Sequence, residues 1–388
     1  EDSGAKGWQP CASNPEVQRA MAQAVSDYFR KNPLAPGVNF SINDGGSDCD
    51  CPACRAMDAP GADYSSKTGM SDRYVKLTNI VCDTVTREFP DKVIVYLAYA
   101  AAQSAPKTVK PHFALLPVLT SPGNFFAAWD EWRNTGAEVM GIYAHHDDCF
   151  FILPKLDLRQ MAKRIRYAAA SGRSAVFYME LHAQWPFNDH LAWVVSQLLW
   201  DPRQDEQKLL DEYYTGFYGP AAPHVKAFHQ AIEAGYERWL NEEGAPHPHG
   251  KDTSSIRYGF AWDQFRVLTP EEAAAAAAAL GQAVAAAKEG APAERLRILH
   301  AQFRAQELGS RYYWNARRLM ATPVRNEMEA KEVVAGARAI LALGQEMSRH
   351  INEVVEKPPM SAISLLRQTN RPNPVYDEMK SGQPGPET

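Results

Sequence analysis

No excess of positive charge runs through this 388-residue chain. Its 41 Lys and Arg stand against 46 Asp and Glu, a net charge of −5, so there is no basic field to hold nucleic acid or anionic lipid. Long apolar runs are missing as well. The longest, Ala273 to Ala279, is soon interrupted by Gly281 and Gln282, too short for a bilayer span. Cysteine is scarce: six residues are too few for a disulfide scaffold in a chain of this length. No G-x-G-x-x-G, Walker loop, G-x-S-x-G or H-E-x-x-H occurs, which argues against the common nucleotide enzymes, serine hydrolases and zincins. No cofactor is expected. The chain opens Glu1-Asp2-Ser3 with neither Met nor a charged-then-apolar leader, so the expectation is a processed or excised piece of something longer.

What is present describes a globular chain. Hydrophobic residues make up 45% and charged residues 22%, too apolar for disorder. At about 150 residues per domain, the length allows two to three domains or one α/β barrel with an appendage.

Asn14 as N-cap, Pro15 at the first helical position, and Val17, Met21, Val25 and Phe29 at helical spacing predict a first helix that stops near Asn32-Pro33. Val38 to Asn43 alternates as a strand and ends in the polar turn Asp44-Gly45-Gly46. The glycosylation pattern Asn39-Phe40-Ser41 falls in this strand, which is read as buried, and is discarded. A helix traced by Tyr74, Leu77, Val81, Val85 and Phe89 follows. Strands are then predicted over Val93–Leu97, Phe113–Val118, Val139–Tyr143 and Ala175–Met179. Between and after them come helices at about Phe125–Arg133, Asp157–Ala170 and Asp189–Trp200. Five strands alternating with helices mean a parallel sheet covered on both faces. From Asp201 to His350 only helices are predicted, one of them started by Thr269, Pro270 and Glu272 as a capping box. The expected division is 1–200 for the α/β portion, 201–356 for a helical domain and 357–388 for an extended tail.

In parallel α/β architectures, ligands bind where the strand-to-helix loops converge, at the C-terminal ends of the strands. That rule selects Asn43 and Asp44 after the first strand and Tyr99 after the second. The fourth contributes Tyr143, His145, His146, Asp147 and Asp148, and the fifth Glu180, His182 and Trp185. Carboxylates, histidines and aromatic faces suit sugar chemistry, in which one protonated carboxyl assists departure and a second group stabilises the anomeric centre or activates water. Asp44 before two glycines is also ordinary turn chemistry, whereas Glu180 after four apolar residues needs a partner or a purpose. Adjacent histidines on an extended segment point opposite ways, so the 145–148 cluster reads as substrate hydrogen bonding and not as a metal site.

Cys49-Asp50-Cys51-Pro52-Ala53-Cys54 is one half of a zinc pattern. Cys11 is the available fourth thiol, because Cys82 lies inside a predicted helix. The alternatives are a local disulfide or free thiols, and no metal is expected.

Trp8-Gln9-Pro10-Cys11, Ser13 to Val17, Val38 to Gly46 and the Cys49–Cys54 block resemble the bacterial domain of unknown function 4838 group, which overlaps glycoside hydrolase family 163. Further matching stretches are Phe89-Pro90-Asp91-Lys92, Leu97-Ala98-Tyr99, Tyr178-Met179-Glu180, Leu198 to Pro202 and Tyr218 to Ala222, so the likeness covers about residues 8 to 230. It implies a (β/α)8 TIM-barrel-type catalytic domain, distantly similar to α-glucuronidase and hexosaminidase barrels, followed by an all-helical C-terminal region. It also implies a secreted or periplasmic bacterial glycosidase acting on an N-acetylhexosamine-containing glycan, endo-β-N-acetylglucosaminidase-like, with Asp44 and Glu180 as catalytic carboxylates. Asn43, Tyr99, Tyr143, His145 and Trp185 would line the sugar subsite. The alternatives are an α-glucuronidase-like glycosidase and a non-catalytic glycan-binding barrel. On this likeness the five strands are the last five of eight, with the others supplied by an upstream segment or a partner chain, and the piece alone is expected to be poorly soluble or inactive.

Overall fold

The computed structural model describes residues 8–43, 47–62, 64, 69–120, 124–145, 158–180, 185–241 and 265–355. The chain divides into two compact units: Glu1–His145 with Arg166–Met179, and His146–Ile165 with Glu180–Thr388.

The first unit opens on α1 (Pro15–Lys31). Asn14 Oδ1 accepts from the Glu16 and Val17 N–H groups at 2.8 and 3.4 Å, and Pro15 occupies a position where no amide donor is needed. Ala22, Val25 and Phe29 are buried on the side that meets α3 (Ser71–Val85), as the spacing predicts. Between them lie the three-residue strand β1 (Gly37–Asn39) and a single turn of helix, α2 (Pro52–Arg55). β2 (Val93–Ala98), β3 (Leu115–Thr120), α4 (Phe125–Asn134), β4 (Met140–His145), α5 (Leu158–Ala170) and β5 (Ser174–Glu180) complete the alternation.

β1 is shorter than the alternation predicts because side chains take over the ladder. Phe40 N–H still reaches Val95 O at 2.8 Å, but the next donor, Leu97 N–H, bonds the Ser41 hydroxyl at 2.9 Å. Nor is the strand buried. Its pattern runs from half-buried to exposed, and Asn39 is exposed with its side chain accepting from Ser41 at 2.5 Å, so burial gives no ground for discarding the glycosylation pattern there. β3 starts two residues later than its apolar run. Leu115 N–H turns back to His112 O at 2.9 Å, and Phe113 is left outside, 54% exposed.

The sheet order is β1-β2-β3-β4-β5, with Val95 opposite Leu116 and Thr120 opposite Tyr143 in parallel register. Each strand lies beside its sequence neighbour with no reversal. Right-handed crossovers therefore return on the same side every time, which makes a five-stranded half-barrel and not a doubly wound sheet with a switch point. On the helix side, Ile94, Tyr96, Ala98, Leu115 and Leu119 are buried, and Tyr96 packs on Trp132 of α4 at 5.7 Å between ring centroids. The opposite face gathers Val95, Leu116 and Val118 with the partly buried Val93, Leu97, Tyr143 and Val176. This is the barrel-type arrangement that the resemblance implies: one face of the sheet meets helices and the other is the barrel interior. Gly141 makes it possible, since a Cβ there would stand 2.9 Å from Val118 Cγ2 and 3.1 Å from Val176 O.

The second unit is helical: α6 (Trp185–Trp200), α7 (Glu206–Tyr218), α8 (Ala222–Asn241), α9 (Pro270–Ala286), α10 (Gly290–Met320) and α11 (Glu327–His350). α6 starts earlier than its apolar spacing suggests, because Pro186 is tolerated in the first turn. Thr269 and Glu272 form the expected capping box, and Glu272 also receives Arg238 Nε at 2.7 Å. Ala273, Ala276, Leu280 and Ala283 are buried in a core with Val225, Phe228, Ile232 and Phe303. Small side chains on α9 let α8 and α10 lie close. Among the described residues no helix is long and apolar enough to cross a membrane.

Candidate functional site

Because the strands are parallel, their C-terminal ends share one edge of the sheet. Tyr99 follows β2 directly, half-buried and extended, and caps the 3₁₀ turn Ala100–Ala102. Ala100 holds φ +47°, a left-handed conformation that a β-carbon disfavours. The turn is fastened into the rim on several sides: Met70 N–H donates to Ala101 O at 3.0 Å, Gln103 Nε2 to Thr120 O at 3.0 Å and Trp132 Nε1 to Gln103 O at 3.1 Å.

On the interior face, Tyr143 of β4 meets Tyr178 of β5 edge-on, with 6.0 Å between ring centroids. Tyr178 is 46% exposed. Sequence reasoning missed this residue, although the period-two alternation that places Val176 on the interior face places Tyr178 there also. His145 and Glu180 are the last residues of their strands. The side chains of His145, Glu180 and Trp185 lie outside the described part of the structure, as do Asp44, His146, Asp147, Asp148 and His182 altogether.

Asn43 is held by a segment 34 residues earlier in the chain. Gln9 Nε2 donates to Asn43 O at 2.7 Å, Asn43 N–H donates to Gln9 Oε1 at 3.0 Å, and Asn43 Nδ2 donates to Trp8 O at 2.9 Å. Gln9 N–H in turn donates to Ser47 O at 3.0 Å, so Gln9 bonds both Asn43 and Ser47. Neither Trp8 nor Gln9 was a candidate; the contact joins stretches that no local pattern connects.

The loop beyond is anchored on α3. Arg73, only 2% exposed, forms a bidentate pair with Asp58, with Nε to Oδ1 at 2.9 Å and Nη2 to Oδ2 at 2.5 Å. Its Nη1 also donates to Cys49 O at 2.5 Å. The Tyr74 hydroxyl donates to Asp48, and Lys76 Nζ donates to Met57 O at 2.8 Å.

These ties collect Cys11, Cys49, Cys51 and Cys54, whose sulfurs all lie within 4.8 Å of one another. Cys11 Sγ is 3.6 Å from Cys54 Sγ and 3.9 Å from Cys51 Sγ. The Ser13 hydroxyl, another residue that sequence reasoning passed over, lies 3.4 Å from Cys11, 3.6 Å from Cys51 and 3.3 Å from Cys54. Cys82 is buried on α3, as its helical position requires. Acidity is unevenly shared. The Cys54 N–H and the Ser13 hydroxyl bring the Cys51 thiol down to about 6. The Cys51 N–H lowers Cys49 too, but burial and the three neighbouring sulfurs outweigh it and push Cys49 up to about 12. Four convergent soft donors can hold one small thiophilic ion.

The family model described as domain of unknown function 4838 matches residues 1–230. No curated protein matches the chain in sequence. Among solved structures, the chain is similar in fold to a family GH115 4-O-methyl-α-glucuronidase with specificity for decorated arabinogalactans, at 12% identity and a TM-score of 0.54. The likeness covers 94% of this chain and 48% of that one, so the chain spans about half the length of that enzyme.

Proposed function

The chain belongs to the domain of unknown function 4838 family, and from that premise we propose that it is a glycoside hydrolase with Asp44 and Glu180 as its carboxylate pair. The observation that carries this reading is Glu180 itself. It ends β5 two residues beyond Tyr178, which forms an aromatic wall with Tyr143, at the strand edge where barrel enzymes place their chemistry. One carboxyl protonates the departing glycosidic oxygen. The other stabilises the anomeric centre, attacks it or activates water, and the separation of the two decides the stereochemical outcome. Asn43, Tyr99, Tyr143, His145, His146, Asp147, Asp148, His182 and Trp185 supply hydrogen bonds and stacking faces to the sugar.

The fold likeness to an α-glucuronidase supports a uronic-acid-bearing glycan as the finer substrate class. An N-acetylhexosamine-containing glycan, the class suggested by the resemblance to family 163, is the second arm of the same test. Purified protein is incubated with glucuronylated arabinogalactan oligosaccharides and, separately, with released N-glycans, and the products are separated by chromatography. Uronic acid release is expected, lowered by a factor of about 10² to 10⁴ in Glu180→Gln and in Asp44→Asn. Unchanged turnover in both variants removes these carboxylates from the mechanism, and glycan affinity without turnover makes the protein a binding module.

A further inference from the structure

We propose that Cys11, Cys49, Cys51 and Cys54 bind a single zinc ion, a structural staple joining the segment that enters α1 to the loop between β1 and α3. The geometry is that of a tetrahedral thiolate site. A zinc–sulfur bond of about 2.3 Å places any two sulfurs of a tetrahedron about 3.8 Å apart. The Cys11 sulfur stands 3.6 and 3.9 Å from those of Cys54 and Cys51, and no pair of the four exceeds 4.8 Å. A disulfide would join two of the sulfurs at about 2.05 Å; here all four thiols are free and lie within 4.8 Å of one another. Four sulfurs this close enclose one ion and leave no room for the bridging sulfides of an iron–sulfur cluster. Among single ions, zinc binds such a set more tightly than ferrous iron does. Four protein ligands also fill the coordination sphere, which is the pattern of a structural and not a catalytic zinc.

The surroundings match an ion carrying four thiolates. Replacing four thiol protons by one Zn²⁺ releases up to four H⁺ and leaves a site of net charge −2, so neighbouring N–H and O–H donors must face the sulfurs. Two such donors are in place. The Cys54 N–H reaches Cys51 Sγ at 3.4 Å, a contact made by the turn of α2 that Pro52 starts. The Ser13 hydroxyl stands 3.3 to 3.6 Å from three of the sulfurs. The hydrogen bonds from Arg73, Tyr74 and Lys76 fix the loop on α3, so three of the four ligands are positioned by contacts that do not involve the metal. Cys11, the fourth, lies two residues after Gln9, whose amide grips Asn43. Zinc therefore also steadies Asn43, the residue before Asp44. The proposal stands on the thiols alone and does not depend on the glycosidase reading.

The test measures metal content and coordination in the whole chain, purified under reducing conditions with zinc supplied. Elemental analysis is expected to find one zinc per chain. Exchange for cobalt(II) is expected to give thiolate-to-cobalt charge-transfer bands and the intense visible bands of a tetrahedral centre. Alkylation followed by peptide mass spectrometry is expected to spare Cys11, Cys49, Cys51 and Cys54 until a chelator is added. Cys54→Ser is expected to weaken zinc binding about 100-fold or more and Ser13→Ala about 10-fold, while Cys82→Ala keeps one zinc per chain. Should Cys54→Ser fail to fold, the stoichiometry and cobalt spectrum of the unaltered chain still decide. Absence of zinc, iron in its place, a cobalt spectrum without thiolate bands, or a disulfide among the four overturns the proposal.

Discussion

Gln9 grips Asn43 with both ends of its side-chain amide, donating to the carbonyl at 2.7 Å and accepting from the N–H at 3.0 Å. A side chain here does the work of a neighbouring strand, and it does so where β1 runs out of backbone partners. Gln9 is only 5% exposed, so its truncation opens a gap in packed surroundings and takes both backbone partners from Asn43. Gln9→Ala is expected to cost about 1–3 kcal/mol, read as a shift in denaturant midpoint. If the glycosidase reading holds, turnover falls more than stability does. Gln9→Glu keeps the acceptor, loses the donor and should fall between the two. An unchanged midpoint for Gln9→Ala would show that water satisfies Asn43 equally well.

The Arg73–Asp58 pair is the most buried ion pair described, with side chains 2% and 1% exposed. Arg73→Met strands the Asp58 carboxylate in the interior and takes a donor from Cys49 O. A loss of about 3–5 kcal/mol is expected. Arg73→Met combined with Asp58→Leu should recover much of it, since no uncompensated charge remains. A double variant as unstable as the single one would assign the loss to the Cys49 contact and to packing.

Gly141 is required by the space above it on the interior face. With Val118 Cγ2 at 2.9 Å and Val176 O at 3.1 Å from a built Cβ, Gly141→Ala is expected to destabilise by about 1–3 kcal/mol and Gly141→Val by more. Pairing Gly141→Ala with Val118→Ala should restore part of the loss. Additive losses in the pair would exclude this contact as the cause.

His229, 2% exposed, accepts or donates at Nδ1 with the Tyr214 hydroxyl at 2.9 Å and stacks on His190 at 4.1 Å between centroids. Burial, and after it the charge of His190, hold His229 well below the ordinary histidine value of 6.5. As pH falls through about 6.5 the unfolded chain takes up this proton and the folded chain does not. The helical unit therefore loses stability below that pH, by up to about 1.4 kcal/mol per pH unit, and this contribution is flat above it. Thermal melts at pH 7.5, 6 and 5 check the slope, which His229→Gln should reduce. An identical slope in the variant would place the acid sensitivity elsewhere.

Much of the architecture was legible along the chain. The Asn14–Pro15 and Thr269–Glu272 starts are local chemistry, and both helices begin where those residues require. The apolar runs of β2 and β4 are visible because a strand buried on both faces needs little else, and that of β5 because Val176, Phe177, Tyr178 and Met179 follow one another without a polar break. β1 is shorter and less buried than its alternation predicts because beyond Phe40 the Ser41 hydroxyl accepts from Leu97 and the Gln9 amide pairs with Asn43, which no periodicity announces. Tyr178 and Ser13 stand in stretches that the sequence singles out, but their roles come from contacts with Tyr143 and with Cys51 and Cys54, which lie far along the chain from them.

The sequence by itself determined the alternation of strands and helices, the helical second half, the strand ends that carry Tyr143 and Glu180, and the half-pattern of three cysteines. These depend on propensity, capping and spacing within a few residues of chain. Only the tertiary structure decided that the sheet order never reverses, that Cys11 completes the sulfur tetrad, and that Gln9 bridges back to Asn43. Each of these is a contact between segments far apart in sequence, made by packing and hydrogen-bond geometry that local patterns do not encode.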